Sequence, residues 1–244
     1  MLYYIIMPGK FRKKRIGGSR VPKRRLGLSR NQIKTVRAIA KAEAMSLPEK
    51  KVFGFIDENR QLYHNKTDYL ASFLSCKQGT ADDNDLAQSR LVRVGDELLL
   101  NNVNIRLWLS NKNDRPNVMY KCFLFWYTAG VTLGDTVCFF TQQNKMLDRV
   151  NNERISIIDS QTIFSGPSYA TGVASDPGSA KEHSYLCTLN GNWKGKKITY
   201  DEGGATPKKR DIGMMVVCYD SYGSLQTDNI ASYAYNAKIS FIDP

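Results

Sequence analysis

The sequence has little of the chemistry that enzymes use. It contains only two histidines, His64 and His183, which lie far apart in polar surroundings, so we expect both at the surface or in loops. It has no phosphate-binding loop of the form G-x-x-x-x-G-K-S/T, and Gly195-Lys196-Lys197 is interpreted as a piece of a strand. We therefore expect no catalytic site and no cofactor.

Long apolar runs are also missing. No run approaches the roughly 18 residues that a membrane-spanning helix needs, so we expect no membrane insertion. The opening Leu2–Met7 is apolar, but positive charge follows it instead of preceding it, which argues against a secretory signal peptide. Met1 and Met7 are both candidate start residues, and the sequence does not choose between them.

The cysteines form no C-x-x-C pair, and their number, five, is odd. Most lie inside apolar, strand-like runs, which predicts buried and reduced thiols and an intracellular or nuclear protein. They are Cys76, Cys122, Cys138, Cys187 and Cys218.

Acidic residues are absent from the first 42 positions, and Glu43 is the first. Thirteen of the 35 basic residues precede it, which leaves 22 bases against 23 acids in the rest of the chain. Such a block of like charge is typical of a tail that binds a polyanion, although a solvated tail that aids solubility is the alternative. The predicted nucleic-acid-binding residues are Lys10, Arg12, Lys13, Lys14, Arg15, Arg20, Lys23, Arg24, Arg25, Arg30, Lys34, Arg37 and Lys41.

The basic segment divides into an arm and a helix. Residues 1–28 form a predicted disordered arm, because glycines and prolines interrupt the basic residues and apolar content is low. The clusters Lys10–Arg15 and Pro22–Arg25 also resemble nuclear import signals. Residues 29–47 form a predicted amphipathic basic helix, which Ser29 and Gln32 begin as a capping box and Pro48 ends.

From residue 48 to residue 244 the pattern is that of one all-β domain. Val103, Ile105, Leu107 and Leu109 alternate with polar residues, which predicts a half-buried strand, whereas Val118–Tyr127 is apolar nearly throughout and suits a strand that is buried on both faces. The eight predicted strands are Lys51–Ile56, the strand that begins at Gly95, Val118–Tyr127, Arg154–Ile158, Tyr185–Leu189, Trp193–Tyr200, Ile212–Tyr219 and Ile230–Ile242. This number of strands with long loops favours a single eight-stranded antiparallel jelly roll, a two-sheet sandwich.

Three finer expectations concern the connections. Asp57–Val94 is a predicted long connection with a short helix at Asp68–Leu74, and Thr136–Phe140 is predicted to be partly extended. Asn190-Gly191-Asn192 is predicted to be a tight hairpin turn. The Gly-, Ser- and Pro-rich stretch Ser165–Ala180 is a predicted loop.

Three further groups of residues leave alternatives open. Asp82, Asp83 and Asp85 offer oxygen ligands for Ca²⁺ but lack the spacing of an EF-hand, so a solvated acidic loop is the alternative. Lys208-Lys209-Arg210 is interpreted as a genome contact, a cell-surface glycan contact or an exposed loop. The tryptophans, Trp108, Trp126 and Trp193, are expected in the core or in an interface more than as base-stacking platforms.

Several motifs resemble the capsid proteins of small viruses with circular single-stranded DNA, the circovirus-like and geminivirus-like group, which share a fold with the coat of satellite tobacco necrosis virus. Beside the basic Gly/Pro arm, the motifs are Val94–Glu97, Asp148-Arg149, Asn152–Ile158, Ile198–Asp201, Met215–Tyr219 and Ala237–Asp243. The Cys and His pattern of a geminivirus-type zinc finger is missing, so the chain departs from that family.

The resemblance implies a shell domain at residues 48–244 that assembles by icosahedral T=1 symmetry into about sixty copies, with the arms inside. Thirteen charges on about sixty arms would neutralise roughly 780 phosphates, which suits a very small genome. It further implies single-stranded nucleic acid, by analogy DNA, as a partner, host nuclear import machinery as another, and localisation in the virion and the host nucleus. RNA is the alternative cargo, and a monomeric nuclear nucleic-acid-binding or shuttle protein with a β body is the alternative function.

Overall fold

A computed structural model describes residues 29–44, 49–79, 92–112, 115, 117–164, 184–220 and 225–243. The chain divides into two units, Met1–Lys41 and Ala42–Pro244. The described part of the first unit is Ser29 and most of helix α1, Arg30–Ala44, which ends three residues into the second unit. The described residues after 48 form an all-β sandwich with one short helix, α2, Asp135–Cys138.

Two antiparallel four-stranded sheets form the sandwich. The described strands are β1 (Glu49–Tyr63), β2 (Lys66–Leu70), β3 (Lys77–Gln78), β4 (Val92–Arg93), β5 (Glu97–Asn111), β6 (Val118–Thr128), β7 (Ser156–Phe164), β8 (Ser184–Thr199), β9 (Arg210–Asp220) and β10 (Asn229–Asp243). The first sheet has the order β1-β10-β5-β8 and the second the order β2-β9-β6-β7, while β3 and β4 form a small parallel pair. The first long strand pairs with the last, and the chain passes repeatedly between the sheets, as in a jelly roll.

The predicted alternation in β5 is confirmed. Val103, Ile105, Leu107 and Leu109 are fully buried, and Trp108 points outward. The inward residues belong to one core together with the inner faces of β6, β9 and β10, because each sheet presents one apolar face to the other.

Strands β6 and β9 do not alternate because both of their faces are covered. Their inner residues join the core between the sheets. Their outer residues, among them Phe125 and Val217, pack against Cys138, Phe139 and Met146 from the segment between β6 and β7. The sequence prediction of a doubly buried strand at Val118–Tyr127 is therefore confirmed.

The connection after the first strand was predicted wrongly. Strand β1 continues to Tyr63, and β2 occupies Lys66–Leu70 where the sequence predicted a helix at Asp68–Leu74. Residues 66–70 form a strand because they pair with β9: Asp68 lies opposite Val216 in an antiparallel ladder. Thr136–Phe140, predicted to be partly extended, is helical up to Cys138 in α2, while Phe139 is extended and forms an isolated β-bridge with Val150.

The predicted hairpin at Asn190-Gly191-Asn192 is also wrong. These residues lie inside one continuous strand, β8, because the flanking halves both pair with β5. The side-chain amide of Asn104 donates to Asn190 Oδ1 over 2.5 Å, and that of Asn102 donates to Asn192 Oδ1 over the same distance. Eight strands were predicted, and the two described four-stranded sheets contain eight. The two numbers agree only because the prediction missed β2 and split β8 in two.

Candidate nucleic-acid interface

The structure describes only part of the predicted nucleic-acid-binding segment. Nine of its thirteen basic residues, from Lys10 to Arg25, lie outside the described residues, as do the calcium candidates Asp82, Asp83 and Asp85 and the predicted loop at 165–180. Arg30, Lys34 and Arg37 lie in α1, and Lys41 belongs to the same helix.

Helix α1 begins with the predicted capping box. The backbone N–H of Gln32 donates to Ser29 Oγ over 3.2 Å, and the N–H of Ser29 donates to Gln32 Oε1 over 2.8 Å. Together the two bonds satisfy donors that the first turn of a helix leaves without partners. This prediction is confirmed, and the helix starts where the sequence placed it.

The basic residues of α1 follow one stripe. Arg30, Lys34 and Arg37 recur at spacings of four and three, so they share a helix face, and all three are exposed. Ile33 and Val36 recur on a neighbouring face at the spacing of three that the sequence indicated. The first turn contains no acid, so the partial positive charge of the helix N-terminus adds to the positive charge of Arg30. This face suits an anionic polymer.

A second basic site, which the sequence did not single out, lies on the sandwich. It is a pocket of about 420 Å³ between the edge strands β7 and β8, and we call it the edge pocket. Its lining residues are Trp126, Ser156, Ile157, Ile158, Asn190, Gly191, Asn192, Trp193, Lys196 and Arg210. None of these ten residues is acidic. Lys196 and Arg210 therefore provide a net positive lining.

Of the two cations of the edge pocket, Lys196 lies over aromatic rings, and Arg210 is close enough to repel its charge. Lys196 Nζ lies 3.8 Å from the ring centroid of Trp126 and 5.9 Å from that of Trp193. Burial lowers the pKa of the Lys196 ammonium, and repulsion from Arg210 lowers it further. Within the described part of the chain, neither Lys196 nor Arg210 forms an ion pair.

The basic trio Lys208-Lys209-Arg210 is divided by the fold. Lys208 Nζ forms an ion pair with Asp201 Oδ1 over 3.0 Å, and Lys209 is exposed. Arg210 begins β9 and lines the edge pocket. Lys209 and Arg210 also line an adjacent pocket with Trp126, Lys196 and Lys197, so the last two members of the trio lie near Lys196. The sequence signal that pointed to Arg210 was the charge cluster, while its partner Lys196 lies on another strand.

The three tryptophans have different surroundings. Trp126 is buried, and its ring meets that of Trp193 edge-on, with centroids 5.3 Å apart. Trp193 is half-buried, whereas Trp108 is 58% exposed on the outer face of the first sheet. Trp108 pairs there with Leu186 on β8, which is also exposed. The expectation of a core or interface position is confirmed for Trp126, which is in the core, and Trp193 packs against that core. An interface position of Trp108 stays a prediction.

His64 was expected at the surface or in a loop. It lies in the turn between β1 and β2, as the loop alternative has it, but it is buried rather than at the surface. It is 6% exposed, its Nδ1 accepts the backbone N–H of Asp220 over 3.1 Å, and its ring packs on Tyr219. Burial lowers the pKa of its imidazole, so the neutral ring acts as a hydrogen-bond acceptor. It is a structural group between β1 and β2. His183 lies outside the described residues.

All five cysteines are buried as free thiols, as predicted. Within the described ranges, no three His, Cys, Asp or Glu side chains come together in a group that could hold a metal ion. No helix there is long and apolar enough to cross a membrane. No protein-family model matches the chain, and no curated protein sequence is significantly similar to it.

Proposed function

We propose that this chain is the capsid protein of a small virus with a single-stranded genome. The jelly-roll unit would associate with copies of itself into an icosahedral T=1 shell of about sixty subunits. The basic N-terminal segment would bind the genome, by resemblance DNA, on the inside. The role is structural and includes no catalysis.

The observation that carries this proposal is the separation of charge from fold. The thirteen basic residues of the acid-free segment precede a charge-balanced β sandwich of jelly-roll type. Counterion release lets such a segment bind phosphates without regard to sequence, and only many copies held together would neutralise a whole genome. The clusters Lys10–Arg15 and Pro22–Arg25 would also engage host nuclear import machinery.

The surface of the sandwich supports self-association. Ile56, Trp108 and Leu186 are exposed on the outer face of the first sheet, and together with Tyr235 they line a shallow apolar pocket. Monomeric proteins seldom expose clustered large apolar side chains, whereas surfaces that become buried in an assembly do. The outer face of the second sheet is covered by the chain itself, so the two faces differ.

One observation favours the alternative of a monomeric nuclear nucleic-acid-binding or shuttle protein. The edge pocket places two cations, neither of them ion-paired with a described residue, on the folded body, where a dedicated binding module would concentrate its charge. Two cations are few beside the thirteen of the segment, so the capsid proposal is favoured.

Size-exclusion chromatography and electron microscopy of the purified full-length protein test the proposal. We expect closed particles of regular diameter, because a T=1 shell is a closed point-group assembly. A protein that elutes as a monomer over the whole accessible range of salt and concentration, with no particles in the micrographs, would contradict the capsid role and leave the monomeric binding protein.

A further inference from the structure

The edge pocket lies where the sandwich is open. Strands β7 and β8 are the outermost strands of their sheets and lie on the same side, so the core between the sheets ends there. Trp126 and Trp193 close that end of the core, and their outward sides line the pocket. At this end of the sandwich, polar and cationic groups therefore surround the partly exposed ring of Trp193, while Trp126 is buried beneath.

A bulge in β8 changes the direction of side chains that line the edge pocket. Asn192 pairs with Asn102 and Lys196 with Leu100, so three residues of β8 face the single intervening residue of β5. Gly195 has a φ of +70°, a left-handed conformation that glycine adopts without strain. Bulges redirect side chains and are common beside binding sites. Here the bulge brings Trp193 and Lys196 together over Trp126.

Glycine at position 191 makes room for the indole. A Cβ atom there would lie 2.4 Å from the Trp193 ring and 2.9 Å from a methyl group of Ile158. The ring therefore packs directly on the backbone of β8. Its position is fixed by contacts with that backbone and with Trp126, which suits a platform for a planar ligand.

The polar groups around the indole match one kind of ligand. Lys196 and Arg210 provide positive charge without an ion-pair partner among the described residues, which is what a phosphate needs. Asn190, Asn192 and Ser156 line the same pocket. The Oδ1 atoms of the two asparagines accept hydrogen bonds from Asn104 and Asn102, so their amide N–H groups and the Ser156 hydroxyl are the groups left to bind a base edge or a sugar hydroxyl. The nearest flanking carboxylate, Asp159, accepts the backbone N–H of Asn190 over 2.8 Å.

We propose that the edge pocket binds one nucleotide of a single-stranded nucleic acid, with the base against Trp193 and the phosphate between Lys196 and Arg210. The choice of nucleic acid over other anions rests on the proposed function. Its volume of about 420 Å³ falls within the range of small-molecule sites. The sandwich would then contact the genome at a defined point, in addition to the nonspecific contacts of the basic segment.

Quenching of tryptophan fluorescence by the tetranucleotide dT4 tests this in the full-length protein. About 0.5 M salt screens the exposed cations of the N-terminal segment. Stacking on Trp193 quenches its fluorescence, and the Trp193→Leu variant separates this signal from quenching of the exposed Trp108. We expect saturable quenching that is lost in Trp193→Leu. The double variant Lys196→Gln/Arg210→Gln is expected to weaken binding about tenfold or more, because two charge-assisted contacts are removed.

The matched control is Lys197→Gln/Lys208→Gln. It removes the same charge from neighbouring positions outside the pocket, where the lysines already pair with Glu97 over 2.5 Å and with Asp201 over 3.0 Å. We expect it to change the affinity less than about twofold. Arg210→Gln alone is at an exposed position and should weaken binding without affecting the fold. It therefore tests the pocket even if the double variant misfolds.

Four results would overturn the proposal: no quenching, equal weakening by the double variant and its control, equal displacement of dT4 by inorganic phosphate at the same concentration, or tighter binding of a sulfated disaccharide. The third would reduce the pocket to a simple anion site, and the fourth would assign it to a glycan. The assembly test is independent of all four. Particles without pocket binding would reject this inference alone, and pocket binding without particles would reject the capsid role alone.

Discussion

At the scale of single residues, two buried charged groups hold the ends of strands together. Arg93 is fully buried, stacks on the Tyr200 ring at 4.3 Å and donates to the backbone carbonyls of Gly95, Asp201 and Gly204. A planar guanidinium can make these contacts at once, whereas an ammonium cannot. Arg93 thereby ties the start of β5 to the turn after β8.

Asp211 is the second such group, and its carboxyl is fully buried. Its Oδ1 accepts the backbone N–H groups of Leu74 and Ile212 over 2.9 and 2.7 Å, while its Oδ2 has no hydrogen-bond partner in the part of the chain that the structure describes. Burial raises the pKa of Asp211 from 3.8 to about 6, and the two N–H bonds only partly oppose this. The fold therefore prefers the protonated carboxyl.

The raised pKa predicts that the ionised Asp211 carboxylate lowers the free energy of unfolding, and that this penalty depends on pH. Because the pKa in the fold lies above that of the unfolded chain, the penalty is fully present above pH 6, decreases as the pH falls from about 6 to 4, and is absent below. Asp211→Asn should therefore raise the free energy of unfolding at pH 8, by up to roughly 3 kcal/mol, and change it little at pH 4. Thermal unfolding of both proteins across this range measures the difference.

The control for charge alone is Glu202→Gln, at an exposed position in the same region. It should shift the unfolding temperature little at either pH. A difference between Asp211→Asn and the wild type that stays constant from pH 4 to pH 8 would contradict the assignment of the penalty to this carboxyl.

At the scale of elements, strand β8 contributes most to the edge pocket. It pairs with β5 along its whole length, interrupted by the bulge, and supplies five of the ten residues of the edge pocket. Gly191 is the tightest point, since the Trp193 ring and Ile158 occupy the space that a side chain would need.

Gly191→Ala is expected to destabilise the protein by about 1–3 kcal/mol, because the indole and Ile158 must move to admit a methyl group. The displacement of Trp193 should also shift the wavelength of its fluorescence emission. Gly134→Ala is the matched control: that residue is extended, with a φ of −172°, and a Cβ there meets nothing within 4 Å. Equal unfolding free energies for the two variants in chemical denaturation would argue against the close packing at Gly191.

At the scale of the whole molecule, the net positive charge and the β sandwich belong to different parts of the chain. The acid-free segment up to residue 42 has thirteen cations, and the remainder is balanced. If the segment binds the genome and the sandwich associates, each activity is separable by deletion.

Removal of residues 1–41 is expected to leave a folded β unit and to lower the nucleic-acid content of the purified protein sharply, measured as the ratio of absorbance at 260 and 280 nm. A matched full-length variant, in which the nine basic residues from Lys10 to Arg25 are changed to Gln, keeps the length and removes most of the charge. It should lose most of the nucleic acid as well. Unchanged absorbance ratios in both variants would reject the assigned role of the segment.

The sequence by itself determined the all-β class, the doubly buried strand β6, the alternation in β5 and the capping box of α1, because each follows from local periodicity or from neighbouring residues. It also located the positive charge. Only the tertiary structure decided that Asn190-Gly191-Asn192 lies within a strand, since its partners on β5 are some ninety residues away. The same holds for β2 and for the edge pocket, whose side chains come from four strands and meet only when the two sheets pack.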